Sequence, residues 1–141
     1  MNLKQITLVQ ESWKKVLNVS DVAAQLFYTR LFTLDPSLKP MFKGEMREQG
    51  RKLIAMISVA VNGLSRIETL VPVIEALGRR HVGYGVKDHH YATVAEALLW
   101  TLEQGMGEEF TPEVKQAWTE AYGLLAATMQ GGAARVEAKA A

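Results

Sequence analysis

Leu70-Val71-Pro72-Val73-Ile74-Glu75-Ala76-Leu77-Gly78-Arg79-Arg80-His81 is the stretch on which the rest of the chain turns. Leu70, Val73, Ile74 and Leu77 recur at three- and four-residue steps, the spacing of one face of a helix. His81 falls on that apolar face, whereas Arg79 and Arg80 fall off it. An imidazole set against apolar surface needs a partner, because an unpaired buried ring nitrogen is costly. A main-chain carbonyl is the ordinary partner. A metal ion is the other, since imidazole is the commonest side-chain metal ligand.

Working outward, helical periodicity continues almost everywhere. The first helix is expected to start at Thr7, with Gln10 closing a capping box, and to turn Val9, Trp13, Val16 and Leu17 inward. Ser20 or Asp21 caps a second, which stacks Ala24, Tyr28, Leu31 and Phe32. Asp35-Pro36 and Pro40 break the chain around a short turn-rich segment that ends in Met41-Phe42. A third helix spans roughly Glu45 to Leu64, and the helix of His81 about Thr69 to Val82, with Pro72 in its first turn. Gly83 and Gly85 interrupt it. Asp88 caps the next, which Gly105 and Gly107 end. Thr111-Pro112-Glu113 supplies an N-cap, an N1 proline and an acid for the helix dipole. The end, Gly131-Gly132 and then Ala133 to Ala141, is expected to fray. No strand alternation and no internal repeat is present, so the fold class is all-α, with about six long helices plus short connecting ones.

Composition narrows the chemistry. The 141 residues form one domain, and 48% apolar with 22% charged residues is ordinary for a globular protein. A net charge of +1 gives no footprint for nucleic acid or an anionic membrane. With no cysteine there are no disulfides, thiolate zinc sites, iron–sulfur clusters or cysteine nucleophiles. The first residues carry no signal-peptide pattern, and no apolar run is long enough to span a bilayer, so the expected location is the cytoplasm.

Four of the apolar stripes carry one residue that packing alone does not choose: Tyr28, Gln49, His81 and Tyr91. Each has an ordinary explanation at a helix edge near water, and Gln49 and Tyr91 both lie near helix starts. Together they suggest one cavity between helices, with a nitrogen ligand on one wall and hydrogen-bond donors on the other.

The chain at this point resembles the globin family, specifically the single-domain bacterial globins related to the haem domain of flavohaemoglobins. The resemblance covers about residues 5 to 130. It rests on Trp13, Phe27-Tyr28-x-x-Leu31-Phe32-x-x-x-Pro36, Met41-Phe42, Gln49-x-Arg51-x-Leu53, Leu77-Gly78-Arg79-Arg80-His81, Tyr91-x-x-Val94-x-Glu96-x-Leu98-Leu99 and Ala117-Trp118-x-x-Ala121-Tyr122-Gly123, in that order.

The resemblance implies haem b as cofactor, with His81 as its iron ligand and Phe42 packed on its face. It implies Tyr28, Gln49 and Leu53 on the distal side, Tyr91 and Val94 on the proximal side or flank, and Val86 at the haem edge. Haem is an apolar disc with two anionic propionates, and Lys52, Arg80 or His90 are candidates for its rim. Each of the three is equally readable as an ordinary surface charge. The second ring nitrogen of His81 should bond to a carbonyl one turn back, near Leu77. A phenol at Tyr28 and an amide at Gln49 are donors suited to the charge that builds up on oxygen, and suited less to carbon monoxide.

Two functions of different class follow. One is reversible binding of dioxygen and other diatomic ligands (NO, CO) with slow oxygen release. The other is a nitric oxide dioxygenase served by an external reductase, because 141 residues leave no room for flavin and nicotinamide modules. The family's proximal glutamate, partner of the tyrosine matched by Tyr91, falls at Ala133, and Glu137 is a poor substitute. Gas sensing would need an output domain, and a cofactor-free helical interaction module is the remaining alternative.

Overall fold

The computed structural model describes residues 1–83 and 86–140, with backbone only at 83 and 133–140. Among the described residues every regular element is helical. Helices α1 (Leu3–Leu17), α2 (Ser20–Leu34), α3 (Met46–Asn62), α4 (Ile67–Gly83), α5 (Asp88–Met106) and α6 (Pro112–Ala140) are joined through short 3₁₀ turns at Pro36–Met41, Leu64–Arg66 and Gly107–Glu109. No single helix among them is long and apolar enough to cross a membrane. The pair α3–α4 reaches that composition only as two pieces bent by 49°.

The core lies between α1, α2, α5 and α6, where Val9, Trp13, Leu31, Leu102, Ala117 and Trp118 are almost fully enclosed. Trp13 and Trp118 meet edge to face with centroids 5.9 Å apart. Each indole N–H has an acceptor, which buried tryptophan requires. Trp13 donates to Ser58 Oγ at 2.9 Å and Trp118 to Ser12 Oγ at 2.8 Å.

The second half of the molecule is more open. α3 buries only Gly50 and Val61, although an apolar stripe runs its length. On α4, Ile74 and Gly78 are buried, while Leu70, Leu77 and His81 are half-covered. These two helices follow each other in sequence and hardly pack together. α3 rests on α2 and α1, and α4 rests almost wholly on α6. Glycine makes both supports close. A Cβ on Gly50 would sit 3.1 Å from the Ala24 methyl. A Cβ on Gly78 would collide with the Met129 carbonyl, and one on Gly132 with the Glu75 carbonyl.

Several helix boundaries differ from those expected. α1 begins at Leu3, because Asn2 and Gln5 form the capping box: Gln5 N–H donates to Asn2 Oδ1 at 2.8 Å and Asn2 N–H to Gln5 Oε1 at 3.1 Å. The hydroxyl of Thr7 instead turns back to the Leu3 carbonyl, at 2.9 Å. α2 starts at Ser20 after Val19, with no side-chain cap. α4 starts at Ile67, which puts Pro72 past its first turn. α5 begins at Asp88 with Lys87 as its cap, and ends at Gly107, whose φ of 58° suits glycine. Gly105 lies inside it. α6 begins as expected at Pro112, with the Val114 amide donating to Thr111 Oγ at 3.3 Å. It then runs through Gly131-Gly132 to Ala140. Gly132 is where the α6 backbone lies against α4. Gly85 lies outside the described residues.

Candidate functional site

His81 sits in the last turn of α4, and its Nδ1 lies 2.7 Å from the carbonyl oxygen of Leu77, one turn back. The bond expected from the sequence is therefore present. A carbonyl can only accept, so the proton is on Nδ1 and the lone pair is on Nε2. Burial pushes the imidazole below its ordinary pKa, the Leu77 carbonyl acts in the opposite sense, and the charge of Arg80 adds to burial. The ring is thus a neutral nitrogen ligand near pH 7. The corner after α4 closes on the same residue: the amide of Val86 donates to the His81 carbonyl at 3.0 Å.

Tyr28 is buried on α2 within an aromatic cluster. Its ring lies 5.2 Å from Phe42 edge to face and 6.0 Å from Phe32 in a stacked arrangement, with Phe27 5.2 Å away on the other side. Its phenol donates to the main-chain carbonyl of Gln49 at 3.1 Å. Burial raises the phenol to about 12, so it is a neutral donor at any physiological pH. Gln49, expected to aim its amide inward, directs it elsewhere. The side-chain Nε2–H donates to the Lys43 carbonyl at 2.7 Å, holding the chain just ahead of α3. The helix stripe fixes where the Cα of Gln49 stands, but the open carbonyl at Lys43 decides the rotamer.

Phe42, Leu53, Leu77, Val86 and Val94 are all half-buried. They are apolar side chains that the protein covers on one side only. Tyr91 is buried, and its hydroxyl has no hydrogen-bond partner among the described residues. The neighbouring phenol of Tyr122 bonds instead to the Tyr91 carbonyl, at 2.6 Å. Burial pushes both phenols upward. The side chains of Ala133 and Glu137, where a proximal acid was sought, lie outside the described residues.

Of the three rim candidates, Lys52 and Arg80 are exposed and enter no ion pair among the described residues. His90 is different. It is buried, its Nδ1 accepts the Lys87 amide at 2.9 Å, and its ring lies against His89 with centroids 4.2 Å apart. Asp35, which sequence reading treated only as part of a chain break, stands with these two histidines. The adjacent histidines were the one available signal for that cluster.

The donor set fits a flat apolar prosthetic group bound through one imidazole. It comprises a neutral ring with an oriented Nε2 on α4, half-covered apolar side chains on α3, α4 and α5, and free cations outside. The class this defines is an all-helical protein whose neutral imidazole and half-covered apolar side chains could hold such a group.

Comparison with known proteins agrees. The family model for globins matches residues 25–129. The chain is 30% identical over 142 residues to a neuroglobin of Danio rerio, an alignment covering 91% of this chain and 89% of that one. It is 31% identical over 126 residues to a flavohemoprotein of Rhodopirellula baltica, covering 87% of this chain and 31% of that longer protein. Among solved structures it superposes with a TM-score of 0.87, at 25% identity, on an engineered carbene transferase from Rhodothermus marinus described as a candidate nitric oxide dioxygenase. That match covers 98% of this chain and 96% of the other. A hexacoordinated heme protein from a tardigrade shares the fold, with a TM-score of 0.85 at 15% identity over 94% of this chain and 95% of that one. The chain belongs to the globin family. With that membership come haem and the binding of small gaseous ligands such as dioxygen.

Proposed function

We propose that this globin holds haem b through His81 Nε2 and binds dioxygen reversibly, with slow release controlled by Tyr28. The observation that carries this reading is the His81–Leu77 bond of 2.7 Å, which fixes the tautomer a haem-iron ligand needs. When bound, the haem would supply the iron at which a diatomic ligand binds.

The chain's own residues do the rest. Phe42, Leu53, Leu77 and Val94 would pack against the haem and exclude water. Lys52 and Arg80 would offer their charges to its propionates. Tyr28 is the donor for a ligand that gathers negative charge: its phenol is neutral, buried, and held by rings that allow little movement. Turning that O–H from the Gln49 carbonyl to a ligand exchanges one hydrogen bond for another. A hydrogen bond to a charged acceptor is the stronger of the two, at about 1.5–3 kcal/mol against roughly 0.5–1.5 kcal/mol for a neutral one. Gln49 contributes only after releasing Lys43.

The experiment is spectroscopic. Purified protein should show the Soret band of haem, and His81→Leu should abolish the normal five-coordinate ferrous spectrum. A normal ferrous pigment in that variant would remove the basis of the reading.

A second reading, a nitric oxide dioxygenase forming nitrate with electrons from an external reductase, is favoured by the flavohemoprotein match and the buried Tyr28 donor. Against it stands the sequence, which has Ala133 where the flavohaemoglobin resemblance would place the carboxylate partner of Tyr91. Nitrate measured over many turnovers with a reductant separates the two. A single stoichiometric burst supports the binder, and sustained formation supports the enzyme. The cytoplasm remains the proposed location, on the sequence reading alone.

A further inference from the structure

The junction of α2 with α5, outside the walls assigned to haem, brings together three groups that globin chemistry does not use. Asp35 ends α2 and caps the following 3₁₀ turn. Its Oδ1 accepts both the Ser37 amide, at 3.1 Å, and the Ser37 hydroxyl, at 2.5 Å. Oδ2 takes no protein donor among the described residues. His89 and His90 occupy the first turn of α5, their rings 4.2 Å apart and tilted by 58°. One ligand atom from each of Asp35, His89 and His90 lies within 4.8 Å of the others.

We propose that Asp35, His89 and His90 form a second metal site, separate from the haem iron, for a divalent first-row transition ion of the Zn²⁺ class. Two imidazoles and one carboxylate are the donor set of three-ligand zinc sites, in which water completes a tetrahedron. They are too nitrogen-rich for Ca²⁺ or Mg²⁺. Bonds of about 2.0–2.2 Å place ligand atoms roughly 3.3 Å apart, so the three must draw together by an ångström or more. The exposed ring of His89 supplies most of that movement.

His90 must also change one bond. Its Nδ1 now accepts the Lys87 amide, so the proton is on Nε2. Coordination at Nδ1 replaces the amide by the ion. Coordination at Nε2 shifts the ring proton to Nδ1 and turns the amide away. Lys87 is exposed and stands ahead of α5, where water can take over its N–H. The partners that hold the site are rigid, because α2 and α5 pack closely and Ser37 fixes the carboxylate. An ion there ties the end of α2 to the start of α5.

The chain has three histidines, and the third is His81. The test uses the haem-loaded full chain, with iron occupied and counted separately. Zn²⁺ is added in calorimetric titration and measured again by metal analysis after dialysis. One equivalent should bind saturably, and His89→Ala or Asp35→Asn should each weaken binding by roughly tenfold or more. Neither variant should alter the Soret spectrum, and Asn at position 35 retains a side-chain oxygen for the Ser37 amide. Absence of saturable Zn²⁺ uptake overturns the proposal. Undiminished uptake by His89→Ala or by Asp35→Asn overturns it equally.

Discussion

The phenol of Tyr28 is bonded to the backbone of Gln49, at 3.1 Å, and not to the side chain of that residue. The bond joins α2 to α3 at the level where Gly50 lets the two helices approach within methyl contact of Ala24. The hydroxyl thereby ties two helices together, and in the proposed function it is also the donor to bound ligand.

Tyr28→Phe should therefore speed oxygen dissociation by roughly tenfold or more, since a hydrogen bond to a charged acceptor is worth about 1.5–3 kcal/mol. Thermal unfolding of the same variant should show only a modest loss, about 1 kcal/mol, because the ring remains packed. Stopped-flow rates equal to those of the parent would show that the hydroxyl does not reach the ligand.

Gln49→Leu tests the second donor. Its amide is hydrogen-bonded at 2.7 Å to the Lys43 carbonyl, so the substitution should accelerate oxygen release by less than Tyr28→Phe does. It should also loosen the segment before α3, seen as faster amide exchange around residues 43–46. An equal or larger change in release rate would mean that Gln49 swings inward whenever ligand is present.

Gly78→Ala should be among the most damaging single-methyl changes. The new carbon would collide with the Met129 carbonyl, and such overpacking costs about 1–3 kcal/mol or more when the obstacle is backbone. Gly123→Ala is the matched control on α6, where nothing lies within 4 Å. It should gain roughly 0.5–1 kcal/mol, the ordinary benefit of replacing glycine within a helix. Urea midpoints of the two variants should move in opposite directions.

Acid should destabilise the haem-free chain from about pH 6.5 downward. Burial holds both His81 and His90 below the ordinary imidazole pKa of 6.5. Between the folded and unfolded values the unfolded chain takes up protons that the folded chain refuses, so stability rises with pH across that window and is complete above it. Asp35 is also held down, chiefly by the Ser37 hydroxyl, which favours its charged form, and its contribution disappears only in more acidic solution. Urea melts on either side of pH 6.5 should show lower stability on the acid side. Equal midpoints would contradict the burial of the two rings.

Periodicity alone was enough to read the six helices and the face carrying His81, because the stripe of Leu70, Ile74 and Leu77 is a property of spacing, although Val73, expected on the same stripe, is exposed. The Leu77 bond was also legible, since a histidine four residues after a helical carbonyl has that acceptor within reach. What spacing does not carry is the choice among local partners. Gln49 turns to Lys43 because a free carbonyl stands there, and Asn2 displaces Thr7 as the cap because Gln5 completes its box. The role of Gly132 was not legible for a different reason: that a glycine lets another helix touch it cannot be seen until the neighbour is known.

That contact has one more implication. With α4 leaning on α6 and on little else, the imidazole nearest the chemistry takes its footing from the far end of the polypeptide. Cutting the molecule ahead of Met129 would leave every distal residue in place and still undo the anchorage of the pigment, so a shortened version should lose colour before it loses helix.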